Sequence, residues 1–167
     1  MSVYFAYGSN LWRDQMRERC PDSIYIGIGR LPRWYVSGFL SNINVALIKC
    51  DHSIRKWFIN SRTYANVKCS NADTVYGFVY LLSESDERRL DQYEGVPQSY
   101  VKKTLNIEFI GCTERTSVAA LVYVDERRQG EGIPREEYIE RMNRGIADAF
   151  KIPQEYVNKY LRPYIPE

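Results

Sequence analysis

Two stretches of the chain carry residue types that could do chemistry together. The first is "YFAYGSN", residues 4–10, where an apolar run breaks at Gly8, Ser9 and Asn10. A glycine there can aim successive backbone N–H groups the same way and form a concave trap for an anion. A helix starting directly afterwards would add unpaired N–H donors and a partial positive charge. A plain turn whose Ser9 or Asn10 caps that helix uses the same residues, and spacing leaves both readings open. The second stretch is "LDQYEGVPQSY", residues 90–100. Glu94 falls at the expected end of a short helix, where exposed carbonyls disfavour a carboxylate by a few tenths to about 1 kcal/mol. Such a placement raises affinity for a proton and suits a general base or acid. A solvated surface glutamate is the alternative. Asp91 is the nearby competitor and is expected on the helix surface.

Other candidates are weaker. "DHS", residues 51–53, has the letters of a hydrolase triad, but triads assemble across a fold and not from adjacent residues. His52 is the only histidine and is expected to be exposed and inert. Cys20, Cys50, Cys69 and Cys112 form no C-x-x-C pair, so they read as free thiols of a reducing compartment, with no metal site. "GEG" at 130–132 lacks the strand-to-helix setting of a dinucleotide site. Lys and Arg number 23 against 21 Asp and Glu, a net charge of +2. That balance, without a basic stripe, argues against a nucleic-acid partner. The longest apolar runs are far too short for a membrane span, and the first residues do not resemble a signal peptide, so the expected location is the cytoplasm. Fourteen tyrosines among 167 residues favour pocket walls and half-buried strands, since a tyrosine can pack its ring and keep its hydroxyl on a polar partner.

The elements that must position these residues follow from patterning. Residues 3–6 read as a buried strand, and 11–19 as a short helix with Ser9 or Asn10 at its N-cap. Residues 23–39 suggest two strands around a bend, and 41–62 two short strands joined by an exposed loop. "TVYGFVYLL", residues 74–82, is the clearest strand. Ser83 with Asp86 makes an approximate capping box for a helix running to about Tyr93, ended by a left-handed Gly95. Two further strands cover "YVKKTLNIEFI" and "TSVAALVYV", with a polar turn near residues 111–116. Pro134 fits the first turn of a helix reaching about Phe150, with Tyr138, Met142, Ile146 and Phe150 as its apolar stripe, widened by Ile139 and Ala149. Pro153 opens a last short helix carrying Tyr156 and Tyr160. Length and the absence of a linker imply one domain, 1–167, and consecutive strands imply an α+β fold around a mixed or closed sheet.

Together, "YFAYGSNL" and "LDQYEGV" resemble the γ-glutamylcyclotransferase family, and the likeness extends through "VYGFVYLL", "ALVYVD" and "PREEYIERMNRGIADAFKIPQEYVNKYL". The resemblance implies a small β-barrel-like sheet flanked by a few helices. It also implies conversion of a γ-glutamyl compound to 5-oxoproline and a free amine, with no metal or cofactor. On that likeness Tyr4, Phe5, Ala6, Tyr7, Gly8, Ser9 and Asn10 form the turn that holds the γ-glutamyl group through backbone N–H donors. Glu94 matches the proton-transferring glutamate, and Tyr123 a ligand-contacting tyrosine. Ser99 stands where the family commonly has glycine, and "TYANV" (63–67) replaces a glycine-rich stretch. These departures concern the leaving-group side, so γ-glutamyl amines or a biosynthetic γ-glutamyl intermediate are alternative substrates. A non-catalytic module for a small anion is the other alternative. The C-terminal helices would pack on the barrel or on a second copy, which leaves a homodimer open.

Overall fold

Runs of β-forming apolar residues become strands, and polar, capped segments become the helices between them. A computed structural model describes residues 1–31, 54–60, 63–69, 73–111, 117–128 and 132–167. In chain order the elements are β1 (Ser2–Ala6), a 3-10 turn (Ser9–Leu11), α1 (Arg13–Arg19), β2 (Ile24–Leu31), β3 (Ile54–Ile59), β4 (Ala65–Cys69) and β5 (Val75–Leu82). Then come α2 (Glu84–Glu94), β6 (Val101–Phe109), β7 (Ser117–Val124), α3 (Glu136–Asp148) and a C-terminal segment in which Gln154–Tyr156 runs into a π-helical turn, Val157–Leu161. Five strands close a barrel in the order β1-β5-β2-β6-β7, while β3 and β4 form a separate two-stranded hairpin. The barrel neighbours are antiparallel except at the closure, where β1 meets β7 in parallel at Tyr4 opposite Leu121. This is the mixed, barrel-like α+β architecture that the sequence implies.

Neighbouring residues on a strand point to opposite faces. Tyr4, Phe5 and Ala6 are all buried, so both faces of β1 are covered. Phe5, Phe78, Ile107 and Val122 belong to one fully buried apolar cluster. No helix among the described residues is long and apolar enough to cross a membrane.

The helix after the first strand differs from expectation. Residues 9–11 make a 3-10 turn, in which the Leu11 N–H donates to the Gly8 carbonyl and the Trp12 N–H to that of Ser9. The α-helix begins only at Arg13, with Trp12 in the N-cap position and no side-chain cap. Ser9 and Asn10 do not cap it because their side chains are engaged elsewhere, and Asp148 instead accepts from the Arg13 N–H at 2.8 Å. By contrast α2 follows its signals closely. Ser83 Oγ accepts from the Asp86 N–H, and Gly95 ends the helix at φ 65°, ψ 43°, a left-handed conformation that glycine adopts without penalty. The α3 stripe is correct at Tyr138, Met142 and Ala149, but Phe150 lies past the helix end and is 79% exposed. Of the two strands expected in 41–62, β3 is present; residues 41–53, 61 and 62 lie outside the described residues, as do the second strand expected in 23–39, Cys50, His52, Cys112 and Gly130.

Gly145 sets how closely α3 approaches the first turn of the chain. A Cβ there would lie 2.8 Å from Leu11 Cβ and 2.9 Å from the Trp12 backbone nitrogen. Both neighbours sit on the segment that shapes the 3-10 turn. Gly145→Ala should therefore destabilise the fold by about 1–3 kcal/mol through overpacking, despite alanine's better helix propensity. Denaturant unfolding of the two proteins measures the difference.

Candidate active site

The last residue of α2 and the bend after β1 meet at one cleft. It holds about 230 Å³, and its walls include Tyr4, Tyr7, Gly8, Ser9, Asn10, Glu94 and Tyr123. Of the residues that the family resemblance assigns to the site, Phe5 and Ala6 are absent from the wall; both are fully buried in the barrel. Alternation along β1 explains Phe5, which faces away from Tyr4.

Several contacts fasten α2 so that its C-terminal end is held at the cleft. Leu90 is fully buried. Arg89 donates from Nε to the Arg19 carbonyl and from Nη2 to that of Glu18, satisfying the end of α1. Lys102 on β6 reaches both Glu87 and Asp91. Tyr123 on β7 donates its hydroxyl to Asp91 Oδ1 at 2.7 Å. Asp91 is thus half-buried and bonded, not the solvated helix-surface residue its position suggests. Tyr123 does line the cleft, but its hydroxyl is committed to holding α2.

Glu94 has a side chain only 17% exposed. Its Oε1 accepts from Asn10 Nδ2 at 3.2 Å and lies 3.9 Å from Arg19 Nη1. Burial raises its proton affinity above the ordinary glutamate value, while Arg19, the Asn10 hydrogen bond and Arg141 oppose that rise. Its place at the C-terminal end of α2 acts in the same direction as burial. The surrounding hydroxyls stay protonated: Tyr4, Tyr7, Tyr100 and Tyr138 are all pushed upward, first by burial and also by the Glu94 charge. Beside Glu94 the cleft therefore presents several neutral hydroxyl groups.

Gly8 serves this wall differently from the sequence expectation. Its φ of −111° is outside the left-handed region. The space around it favours a small residue: an added Cβ would sit 3.2 Å from Ala65 Cβ and 3.2 Å from the Tyr138 hydroxyl. Nor does α1 supply a helix terminus to the bend, because Asp148 holds the Arg13 N–H.

The opposite wall comes from the β3–β4 hairpin and went unrecognised in the sequence. Ala65 donates its N–H to the Tyr138 hydroxyl at 3.0 Å and accepts from the Tyr100 hydroxyl at 2.8 Å. A buried clasp holds it. Asn66 accepts from the Asp125 N–H and donates to the Asp125 carbonyl, at 3.0 and 2.8 Å, and Asn60 donates to Asp125 Oδ2 at 3.0 Å. Arg128 also reaches that carboxylate at 3.0 Å. Asn60, Asn66 and Asp125 are each at most 1% exposed. Tyr138 read as a core residue because its spacing on α3 is the same for a core and for a cleft wall. Isolated polar residues such as Asn60 and Asn66 give no periodic signal at all. Among the described residues no group of three or more His, Cys, Asp or Glu could hold a metal ion.

The model of the AIG2-like family matches residues 74–160. No curated protein sequence matches the chain. Among solved structures, one titled "Gamma-glutamyl cyclotransferase" is 23% identical, with a TM-score of 0.68 over 95% of this chain and 85% of that one. An uncharacterised protein from Homo sapiens, LOC79017, is 24% identical with a TM-score of 0.70 over the same shares. An AIG2-like protein from Mus musculus is 18% identical with a TM-score of 0.54, over 83% of this chain and 82% of that one. At these identities the structural likeness establishes the fold.

The pH dependence of stability follows from the Glu94 environment. A carboxyl that holds its proton more tightly in the folded than in the unfolded chain favours the fold at low pH. That contribution is full below the unfolded value, near 4.5, and is lost as pH rises through the higher folded value. Glu94→Gln removes the buried charge, so it should match the parent protein's stability near pH 4 and exceed it increasingly toward neutral pH. Melting temperatures of both proteins across pH 4–8, an approximate window bracketing ordinary and raised carboxyl values, check this.

Proposed function

The chain belongs to the AIG2-like family, and we propose that it is a γ-glutamylcyclotransferase with Glu94 as its proton-transferring residue. One observation carries the reading: Glu94 and the bend at residues 8–10 share a single cleft, with Asn10 Nδ2 3.2 Å from Glu94 Oε1. The backbone N–H groups of that bend are the donors proposed for the substrate's α-carboxylate, with the side chain folded back toward Glu94.

The reaction proposed is intramolecular. The α-amine attacks the γ-carbonyl carbon of its own side chain, a five-membered lactam forms, and the bond from that carbon to the departing nitrogen breaks. Near neutral pH the α-amine is an ammonium and has no lone pair to attack with. It gives up two protons on the way to a lactam N–H, and the departing nitrogen gains two as it leaves as an ammonium. Glu94 relays them one at a time, as base to the attacking nitrogen and then as acid to the leaving one. A raised proton affinity suits both halves of that task, because a strongly acidic carboxyl would accept the proton poorly. Holding the folded-back chain in a near-attack geometry can contribute up to about 7–11 kcal/mol in the best cases. The protonated tyrosines are candidate donors to the oxygen that gains charge in the tetrahedral intermediate.

Incubation with a panel of γ-glutamyl amino acids, γ-glutamyl amines and γ-glutamyl peptides, read as 5-oxoproline release, tests the activity and identifies the leaving group. Glu94→Gln should bind the favoured compound with similar affinity and lose at least about a hundredfold in kcat. Normal 5-oxoproline release by that variant removes Glu94 from the role. Gly8→Val should instead raise KM or abolish binding, since its side chain collides with Ala65 and Tyr138 in the wall. An unchanged KM would separate the bend from substrate recognition.

A further inference from the structure

We propose that Asn10 is the positioning residue that aims the Glu94 carboxylate, and that Arg19 and Gln15 act through it by fixing the orientation of its amide. The proposal rests on the catalytic reading of Glu94 for its consequence, but on geometry alone for its basis.

A primary amide offers two N–H donors and an oxygen with two acceptor positions. Asn10 is 4% exposed and uses all four. Its Oδ1 accepts from Gln15 Nε2 at 2.8 Å and from Arg19 Nη1 at 3.0 Å. Its Nδ2 donates to the Tyr4 hydroxyl at 2.9 Å and to Glu94 Oε1 at 3.2 Å. Arginine has no acceptor, so only the amide oxygen can face it. The NH2 group is thereby forced toward the carboxylate. A flipped amide would set its oxygen against Glu94 and its NH2 against a guanidinium, losing contacts on both sides.

This arrangement divides the two carboxylate oxygens. Oε1 takes Asn10 and the nearby Arg19, while among the described residues Oε2 takes no hydrogen bond and is the oxygen left for a substrate proton. Gln15 ties the bend to the same network, because its Nε2 also donates to Ser9 Oγ at 3.0 Å. The proposed binding element and the proposed base are thus held in register by one side chain. The Tyr4 hydroxyl, which accepts from Asn10, is left with its own proton to donate.

The groups facing Glu94 come from every element around it. Arg19 and Cys20 come from α1 and its end, Tyr4 from β1, Tyr7 from the bend, Tyr100 from the start of β6, Tyr123 from β7, and Tyr138 and Arg141 from α3. The tyrosines are pushed above their ordinary range and the Cys20 thiol up to about 12, chiefly by burial, so all stay neutral through the range in which Glu94 titrates. Asp125 also lines the cleft, where Asn60 and Arg128 hold its carboxylate, and of the groups acting on Glu94 only the two arginines remain charged. Of these, Arg141 is held by Glu137, Ser9 and Gln15. Asn10 and Arg19 are therefore the groups whose loss should be felt most at Glu94.

The test is a pH titration of the Glu94 carboxyl by carbon-13 NMR, assigned by its loss in Glu94→Gln, in the parent protein, Asn10→Ala, Asn10→Asp, Arg19→Met and Arg19→Lys. Asn10→Ala and Arg19→Met should move the titration up by about one pH unit, as expected for loss of a hydrogen bond or nearby opposite charge. Arg19→Lys should restore most of it, and Asn10→Asp should move it furthest. The acid limb of kcat/KM should move with it. Lost aim should lower the rate tenfold to a hundredfold on the plateau above that limb, and the moved titration should add up to about a further tenfold below it. A uniform loss of rate with an unmoved limb, or a titration unchanged in both Asn10→Ala and Arg19→Met, overturns the proposal. Should Asn10→Ala fail to fold, the two Arg19 variants decide. If the parent protein cyclises no γ-glutamyl compound, the activity reading falls, while the carboxyl titration still decides the role of Asn10.

Discussion

Asn10 and Glu94 stand 84 residues apart in the chain and meet at 3.2 Å. The groups around that contact bear on the proton affinity of one largely buried carboxylate. A buried carboxylate with no partner would simply stay protonated, and one fully paired with arginine would be too weak a base. Here burial raises the proton affinity while an amide donor and two guanidiniums at greater reach hold the rise in check. The barrel supplies the amide by ending β1 at the cleft, and α2 supplies the acid by ending there too. The two ends are held together by contacts to α1, β6 and β7 rather than by the Asn10–Glu94 contact itself.

The choice of tyrosine for the walls fits the same constraint. A second carboxylate or a lysine near Glu94 would change its titration by direct charge, in one direction or the other. A tyrosine kept neutral by burial lends a hydroxyl without adding charge. Several of these hydroxyls also have structural duties. Tyr7 donates to the Tyr123 carbonyl, Tyr100 to that of Ala65, and Tyr123 to Asp91, so the wall is braced by the same groups that give it polarity. Neutral neighbours of this kind leave the titration of Glu94 to burial, the two arginines and the Asn10 amide.

Sequence reasoning reached the parts of this design that local rules control. The Ser83 cap, the Gly95 stop and the apolar run of β5 are each decided by residues within a few positions of one another, and they placed Glu94 at a helix end. The fold class followed because consecutive strands leave few ways to close a sheet. The start of the first helix is hidden from local rules, since Ser9 and Asn10 are ordinary capping residues until long-range partners claim their side chains. Gly8 and Gly145 were equally opaque: each is fixed by what another element brings within 3.2 Å, and glycine's flexibility is only the more familiar reason for its use. Arg19, Asn66 and Asp125 carry no periodicity, and their roles exist only once the hairpin and the barrel are in contact.

The hairpin clasp shows why such residues resist sequence logic yet belong to the design. Asp125, Asn60 and Asn66 bury polar groups that an apolar cluster could replace with no loss of stability, since net gains from buried hydrogen bonds are modest. An apolar contact, however, tolerates sliding. The paired bonds between Asn66 and the Asp125 main chain fit only one register of β4 against the end of β7. That register fixes Ala65, whose N–H and carbonyl meet Tyr138 and Tyr100, and whose methyl leaves Gly8 little room for a side chain. Fully satisfied polar networks of this kind favour a single arrangement, because any shift leaves buried donors unpaired. The wall facing Glu94 is thus set by hydrogen-bond geometry, and the width of the cleft follows from it.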